Sequence, residues 1–135
     1  MINYKLISKF RNKLKNGKAS IGAWMQIPST DIAEILSNNN FDWIAIDMEH
    51  GNFNRESLTE IIRVISKSNT IPLVRLANSS SKEIKKALDS GAYGLILPMI
   101  KNSSELKSIV LKCKWPPEGN RGVAFFRGNL WGRDF

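Results

Sequence analysis

One histidine stands where a run of apolar residues gives way to polar ones. The apolar run 43–46 leads into Asp47, His50 follows three residues later, and a second apolar run, 72–74, ends in Arg75. An imidazole, with an ordinary pKa of about 6.5, can act as a general base near neutral pH. A guanidinium can offer two hydrogen bonds to developing negative charge. Since active sites of parallel α/β proteins lie at the carboxyl ends of strands, the pattern indicates an α/β enzyme.

Apolar runs and helical periodicities alternate along the chain and predict the elements that must hold these groups. Short apolar runs predict four strands, at 21–25, 43–47, 72–76 and 94–97. Apolar residues at helical spacing predict a helix after each strand. The first of these helices begins at Ser29 or Thr30 and ends at 38–40, the second covers 55–68, the third runs from 79–81 to Gly91, and the fourth runs from Ser103 or Ser104 to the prolines at 116 and 117.

Two of the predicted helices are clearly amphipathic. Before the first strand, an apolar stripe lies among lysines in a helix that Gly17 ends, and it consists of Leu6, Phe10 and Leu14. In the last helix four apolar side chains share one face: Leu106, Ile109, Val110 and Cys113. Cys113, the only cysteine, is expected to be a packing residue. A lone cysteine cannot form an internal disulfide, which favours a reducing, cytoplasmic compartment.

The order of the predicted elements points to part of a barrel. Four consecutive βα units, each just long enough for one strand and one crossover helix, are half of an eightfold barrel, which takes about 250 residues. The alternative is a small open sheet of the doubly wound kind, but the segment 26–29 after the first strand lacks the glycines of a dinucleotide fingerprint. We therefore expect a single partial domain, residues 1–135, that forms the N-terminal half of a (β/α)₈ TIM barrel preceded by a helix.

The chain is basic, with 20 Lys and Arg against 12 Asp and Glu and a formal net charge of +8. Six of the cations precede the first acid, Asp31, and surround the apolar stripe of the first helix, as expected of a solvated face. The other cations lack the aromatic interleaving of an RNA-binding sheet. We expect no nucleic-acid partner, although a basic, non-catalytic nucleic-acid-binding module is the alternative. No run approaches the roughly 20 apolar residues of a membrane span, so no membrane partner is expected.

An ordered set of motifs covers nearly the whole chain and resembles the HpcH/HpaI family of class II pyruvate aldolases. The set comprises Ile21-Gly22-Ala23-Trp24, Ala33-Glu34-Ile35-Leu36, Phe41-Asp42-Trp43, Ile46-Asp47-Met48-Glu49-His50-Gly51, Val74-Arg75, Leu88-Asp89-Ser90-Gly91-Ala92, Leu97-Pro98-Met99 and Trp115-Pro116-Pro117-Glu118-Gly119-Asn120-Arg121-Gly122. The resemblance implies a metal-dependent barrel that reversibly cleaves a 4-hydroxy-2-oxo acid into pyruvate and an aldehyde. An acyl-CoA lyase of the related pyruvate-barrel group is a further alternative.

The resemblance also implies roles for the residues at the strand ends. His50 is the base that removes the proton of the C4 hydroxyl through a bound water, and Asp47 lies nearby to orient it. Asp89 matches an acid that completes this pair across a subunit contact, which implies a homo-oligomer. The alternative is a capping or surface histidine with ordinary flanking acids.

Three further residues have both a functional and a purely structural interpretation. By resemblance Arg75 contacts the pyruvate keto oxygen and stabilises the enolate, whereas the alternative is a salt bridge with Asp47 or Glu49. Trp24 matches a tryptophan of the pocket wall that binds substrate, and a core tryptophan is the alternative. Arg121 lies in a loop bent by prolines and glycines, and could brace that loop against a neighbouring subunit.

The divalent cation that the resemblance implies, Mg²⁺ or Mn²⁺, has no expected ligand in this chain. In the family a glutamate of a Gln-x-Glu segment and an aspartate one strand later hold it, and both positions would follow Phe135. A Schiff-base mechanism would instead need a desolvated lysine, and Lys101 lies among polar residues. The resemblance therefore predicts the base and the enolate arginine without the metal ligands, and leaves open both the aldehyde and the activity of these 135 residues alone.

A half-barrel would also leave apolar surface uncovered. Each end of its sheet would be an open strand edge, and the face that lines the barrel would be exposed. An aromatic and aliphatic cluster near the end of the chain adds to this surface: Phe125, Phe126, Leu130, Trp131 and Phe135. We expect this cluster to be buried in a complete protein.

Overall fold

Four parallel strands alternate with helices in the computed structural model, which describes residues 2–133. The helices are α1 (Tyr4–Lys15), α2 (Thr30–Ser37), α3 (Arg55–Ile65), α4 (Ser81–Asp89) and α5 (Ser103–Cys113). The strands are β1 (Gly22–Met25), β2 (Trp43–Asp47), β3 (Ile71–Arg75) and β4 (Gly94–Ile96), and a short 3₁₀ segment covers Arg127–Gly132.

The strands lie side by side in chain order, β1-β2-β3-β4, and every neighbouring pair is parallel. A doubly wound sheet reverses its strand order at a switch point, whereas a barrel adds each new strand on the same side. The open-sheet alternative is therefore wrong, and the prediction of four barrel-type βα units after an N-terminal helix is confirmed.

Side-chain caps fix the starts of the helices. Ser29, Asn54 and Ser80 each accept a hydrogen bond from a backbone N–H in the first turn of the helix that follows. The cap of α5 is Asn102, whose side chain accepts from the backbone N–H of Glu105 at 2.9 Å. Helix α5 itself begins at Ser103, so its predicted start at Ser103 or Ser104 is confirmed.

The two faces of the sheet differ in what covers them. One set of alternating strand residues, including Met25, Ile44, Ile46 and Val74, is fully buried under the helices and forms the core. The opposite face carries Trp24, Trp43, Asp47 and Arg75, among others, and would line the barrel. On this lining face Trp24 is 46% exposed, whereas Ile71 at the start of β3 is buried.

The first and last helices are the least buried. None of the residues of α1, all of which the structure describes, is buried, and Lys13 ties the helix to Asp42 with both carboxylate oxygens at 2.7 Å. In α5 Ile109 is buried and Cys113 packs partly against the core. Leu106 and Val110, which were predicted to share a face with them, are exposed. Helix α5 follows β4, the last strand of the sheet, so no further βα unit of the described residues packs beside this helix.

The apolar surface predicted for a half-barrel is present. Strands β1 and β4 each have a neighbour on one side only among the described residues. In the closing cluster Phe126 is buried, Phe125 and Trp131 are exposed, and Phe135 lies outside the described residues. That a larger assembly covers this surface stays a prediction. None of the described helices has both the length and the apolar character needed to cross a bilayer.

Candidate active site

A tight turn after β2 presents the candidate base. The carboxylate of Asp47, the last residue of β2, accepts the backbone N–H groups of Glu49 and His50, both at 3.1 Å. The backbone N–H of Gly51 closes the turn on the Asp47 carbonyl oxygen at 3.0 Å. A side chain at Gly51 would collide with that same carbonyl oxygen, so only glycine fits there. The turn thereby fixes the direction in which Glu49 and His50 leave the strand.

Asp47 is the centre of the site rather than its edge. Arg75 Nε donates to Oδ1 at 2.8 Å and Arg75 Nη2 donates to Oδ2 at 2.6 Å, in the bidentate arrangement that is strongest for this pair. Trp24 Nε1 and Gln26 Nε2 donate to Oδ2 at 3.0 and 2.9 Å. The carboxylate is fully buried, and three neighbouring strand ends converge on it.

The hydrogen bonds around Asp47 decide its charge. Burial by itself would raise the pKa of this carboxyl. The hydrogen bonds from Arg75, Gln26, Trp24 and the backbone N–H of His50 together outweigh it and hold the pKa of Asp47 well below its usual range. The group is therefore a carboxylate throughout the physiological range and keeps Arg75 fixed.

The depressed pKa of Asp47 predicts an acid dependence of stability. Between the folded pKa and the ordinary value of about 3.9 the unfolded chain binds more protons, so stability rises with pH there. The free-energy advantage of wild type over Asp47→Asn, measured by urea unfolding from pH 3 to 7, should therefore be constant above about pH 5. It should shrink as the pH falls below about 4. An advantage that grows toward low pH would contradict this assignment.

Arg75 and Trp24 form the wall beside this carboxylate. The Arg75 guanidinium lies 5.0 Å from the centre of the Trp24 ring, and Trp24 meets Trp43 edge to face at 6.4 Å. Trp24 lies on the barrel-lining face and is 46% exposed in this chain, so its place in a pocket wall stays a prediction. The salt-bridge interpretation of Arg75 is realised with both candidate acids, since Nη1 lies 3.4 Å from Glu49 Oε2. Salt bridging fixes the guanidinium, and the Arg75 side chain stays 21% exposed.

His50 lies at the rim, with 65% of its side chain exposed. Its Nε2 is 3.9 Å from Glu49 Oε2, the same oxygen that approaches Arg75. The recorded contact of Asp47 with His50 is through the backbone N–H, while Arg75, Trp24 and Gln26 occupy the carboxylate from the other sides. Asp47 therefore acts on His50 by fixing the turn, and its catalytic role stays a prediction.

Asp89 lies at the other end of the sheet. It is the last residue of α4, on the side where β4 begins, whereas His50 follows the end of β2. Asp89 is 5% exposed and Arg121 Nη2 donates to it at 2.6 Å. Within one chain Asp89 and His50 are thus not brought together, and a pairing across a subunit contact stays a prediction.

Arg121 braces the closing loop from inside the chain. Its guanidinium lies 5.3 Å from the centre of the Trp115 ring and 5.0 Å from that of Phe126, in addition to its ion pair with Asp89. The side chain is 8% exposed. Its recorded contacts therefore serve the fold of this chain, whereas a brace against a neighbouring subunit remains a prediction.

Sequence reasoning missed two members of the site, Gln26 and Glu49. The period of two in a strand puts Gln26 on the same side as Trp24, which could have identified it as a neighbour of Asp47. Glu49 was treated only as a possible salt-bridge partner of Arg75. Its position between Arg75 and His50 depends on the geometry of the turn, which the sequence pattern does not specify.

The described residues do not by themselves fit a divalent cation. Within residues 2–133 no group of three histidine, cysteine or acidic side chains comes together as a metal site would require. Asp47, the acid at the centre of the site, already accepts six N–H donors. Lys101, the Schiff-base alternative, is exposed beyond β4. The arrangement as it stands can orient an anion and accept a proton at its rim.

Comparison with known proteins adds an independent line of evidence. A family model described as HpcH/HpaI aldolase/citrate lyase matches residues 20–129. A protein of Roseobacter denitrificans named hydroxypyruvate/pyruvate aldolase is 33% identical over 126 residues, which cover 93% of this chain and 49% of that protein. A 4-hydroxy-2-oxo-heptane-1,7-dioate aldolase of Salmonella dublin is 35% identical over 92% of this chain and 48% of its own length.

The fold has a close counterpart among solved structures. The crystal structure of an HpcH/HpaI aldolase/citrate lyase family protein from Burkholderia cenocepacia superposes with a TM-score of 0.84 and 29% identity, over 92% of this chain and 51% of that one. The chain spans about half the length of the curated relatives it matches. The half of a TIM barrel predicted from the sequence is therefore confirmed as the fold of these residues.

Proposed function

Because this chain belongs to the HpcH/HpaI aldolase/citrate lyase family, we propose that it carries the pyruvate-binding part of a carbon–carbon lyase. The reaction is the reversible cleavage of a 4-hydroxy-2-oxo acid into pyruvate and an aldehyde. One observation carries the proposal: a buried carboxylate, Asp47, fixes Arg75, whose Nη1 lies 3.4 Å from Glu49, and His50 lies on the same rim. Two relatives at 33% and 35% identity are named as aldolases of this chemistry.

The cleavage needs a base and an anion stabiliser at a short distance from each other. His50 accepts the proton of the C4 hydroxyl as the C3–C4 bond breaks, so that the C4 carbon leaves as an aldehyde. The bonding electrons pass into the three-carbon fragment, which becomes the enolate of pyruvate, and uptake of a proton at C3 then gives pyruvate. Arg75 donates from Nη1 to the enolate oxygen, where negative charge develops. Both groups approach one oxygen, Glu49 Oε2, within 3.9 Å, so a small substrate can bridge them.

Asp47 and Trp24 prepare Arg75 for this task. The bidentate pair with Asp47 and the Trp24 ring restrict the guanidinium before substrate arrives, so little reorganisation is needed when charge appears. Trp24 also forms an apolar wall that excludes water from one side of the substrate. Because a 2-oxo acid is an anion, the net charge of +8 favours its approach.

A divalent cation, Mg²⁺ or Mn²⁺, stays a prediction that rests on the resemblance. When bound in such a site it would supply additional stabilisation of negative charge on the 2-oxo acid. The described residues do not make a site for it, and the mechanism above uses only groups of this chain.

Pyruvate release is the direct test. The purified chain, alone and co-expressed with the remaining half of the Roseobacter aldolase, is given a 4-hydroxy-2-oxo acid with Mn²⁺ or with a chelator. Pyruvate is followed through lactate dehydrogenase. We expect pyruvate at least in the complemented sample. Activity that instead requires a CoA thioester would favour the acyl-CoA lyase alternative.

In the same assay, His50→Ala is expected to lower the rate by about a hundredfold, since general bases typically contribute 10²–10⁴-fold. The side chain is exposed, so the substitution should leave the thermal midpoint almost unchanged. Lys101→Ala provides a control at another exposed position beyond a strand end. Full turnover by His50→Ala would remove His50 from the mechanism. Loss of activity in Lys101→Ala would favour the Schiff-base alternative.

The predictions of partners, oligomeric state and location rest on the resemblance to the same family. We propose a small 2-oxo acid as the partner of the site and a homo-oligomer in which Asp89 of one subunit approaches His50 of another. Neither a nucleic acid nor a membrane is expected as a partner, and the cytoplasm is the expected location.

A further inference from the structure

Glu49 lies between the two groups that the proposed reaction uses. Its Oε2 is 3.4 Å from Arg75 Nη1 and 3.9 Å from His50 Nε2. The side chain is 23% exposed, less than the 65% of its neighbour His50. The turn that Asp47 holds therefore points Glu49 inward and His50 outward.

The guanidinium has only one side left for a ligand. Asp47 takes Nε and one N–H of Nη2, two of the five donors of an arginine. The Trp24 ring lies 5.0 Å from the guanidinium carbon and covers a face. Both N–H groups of Nη1 and the second N–H of Nη2 remain, and Glu49 faces Nη1.

A substrate oxygen that binds Arg75 at Nη1 therefore comes next to the carboxylate of Glu49. Two negatively charged oxygens a few ångströms apart repel each other strongly when partly removed from water. An incoming oxyanion can bind Nη1 fully only if the carboxylate of Glu49 moves away. The carboxylate can move toward His50, whose Nε2 is 3.9 Å away and which becomes an imidazolium when it takes the proton of the substrate.

From this geometry we propose that Glu49 is a positioning residue that holds Arg75 Nη1 in the free chain and yields it to the oxyanion of a 2-oxo acid, turning to His50. The inference rests on the proposed function, and it adds a role for Glu49 and a preference for anionic over neutral ligands. A ligand with charged oxygens can displace the Glu49 carboxylate. A neutral carbonyl compound cannot, because it interacts more weakly with Arg75 than Glu49 does.

Anion binding measures this competition without requiring turnover. Oxalate, a planar dianion that resembles the pyruvate enolate, is titrated into the full chain at low salt. Binding is read from the NMR signals of the Trp24 indole N–H and of the single histidine ring. The proteins are wild type, Glu49→Gln, Glu49→Asp and Arg75→Lys, with Glu60→Gln on the exposed side of α3 as a matched control of net charge.

We expect Glu49→Gln to bind oxalate about threefold to tenfold more tightly, as removal of a partly exposed competing charge pair would give. Glu60→Gln should bind as wild type does, and Arg75→Lys at least tenfold more weakly because it lacks the fork. Acetone, a neutral carbonyl probe, should gain nothing from Glu49→Gln. Glu49→Asp retains the charge on a shorter side chain and should fall between wild type and Glu49→Gln.

The outcomes separate this inference from the function on which it rests. Equal oxalate affinity in wild type and Glu49→Gln, with weakened binding in Arg75→Lys, overturns the role of Glu49 and leaves Arg75 as the anion site. Weaker binding in Glu49→Gln also overturns it, since Glu49 would then support the ligand. Equal affinity in all five proteins overturns both the inference and the anion site of the proposed function.

Discussion

Arg75→Lys is expected to lower pyruvate formation by about a hundredfold to a thousandfold, the usual effect of removing one donor that stabilises a developing oxyanion. Lysine can still form an ion pair with Asp47, so the chain should stay folded. A lysine ammonium lacks the planar fork of arginine. It therefore cannot hold the Asp47 carboxylate with two parallel hydrogen bonds and also direct a fixed donor at the substrate. The measurement is the coupled pyruvate assay on the complemented protein, with kcat and KM determined separately.

The division between kcat and KM tests how Arg75 acts. If Arg75 stabilises the enolate, most of the loss should appear in kcat, because the charge develops only as the bond breaks. If it only binds the substrate, KM should rise and kcat should remain. Arg63→Lys, an exposed arginine on α3, controls for the change of residue type and should have full activity. Unchanged turnover in Arg75→Lys would remove the arginine from the proposed mechanism.

Asp47→Asn is expected to cost about 3–5 kcal/mol of unfolding free energy, as is typical when one partner of a buried ion pair is removed. An asparagine has the same shape, but its amide group brings N–H donors to a position where six donors already converge. Arg75 would keep its charge with only Glu49 nearby. Urea unfolding at pH 7, followed by tryptophan fluorescence, measures the loss.

Asp42→Asn is the matched control for this prediction. Asp42 directly precedes β2, the strand that Asp47 ends, and neither residue belongs to a helix. Asp42 forms an ion pair with one cation, Lys13. The Lys13 side chain is 34% exposed, and pairs of this kind contribute about 1 kcal/mol or less. A loss in Asp47→Asn no larger than that in Asp42→Asn would mean that the Asp47 cluster does not hold the strand ends together.

Local patterns in the sequence determined the elements of this fold. The strand 43–47 has the predicted bounds, β1 and β4 differ from the prediction by one residue at one end, and β3 begins and ends one residue earlier than predicted. Hydrophobic runs and capping residues act over a few positions, so they can be recognised without the tertiary structure. The positions of His50 and Arg75 at strand ends were therefore predictable.

The tertiary structure alone decided which groups meet at those ends. Asp47 and Arg75 face each other because β2 and β3 pair in one register, and a shift of one residue would have sent them to opposite faces. Trp24 and Gln26 reach Asp47 from a strand more than twenty positions earlier in the chain. Glu49 reaches both Arg75 and His50 through a turn whose direction Asp47 sets. These contacts depend on sheet register and on burial, which involve residues far apart in sequence and leave no periodic pattern by which the sequence alone could reveal them.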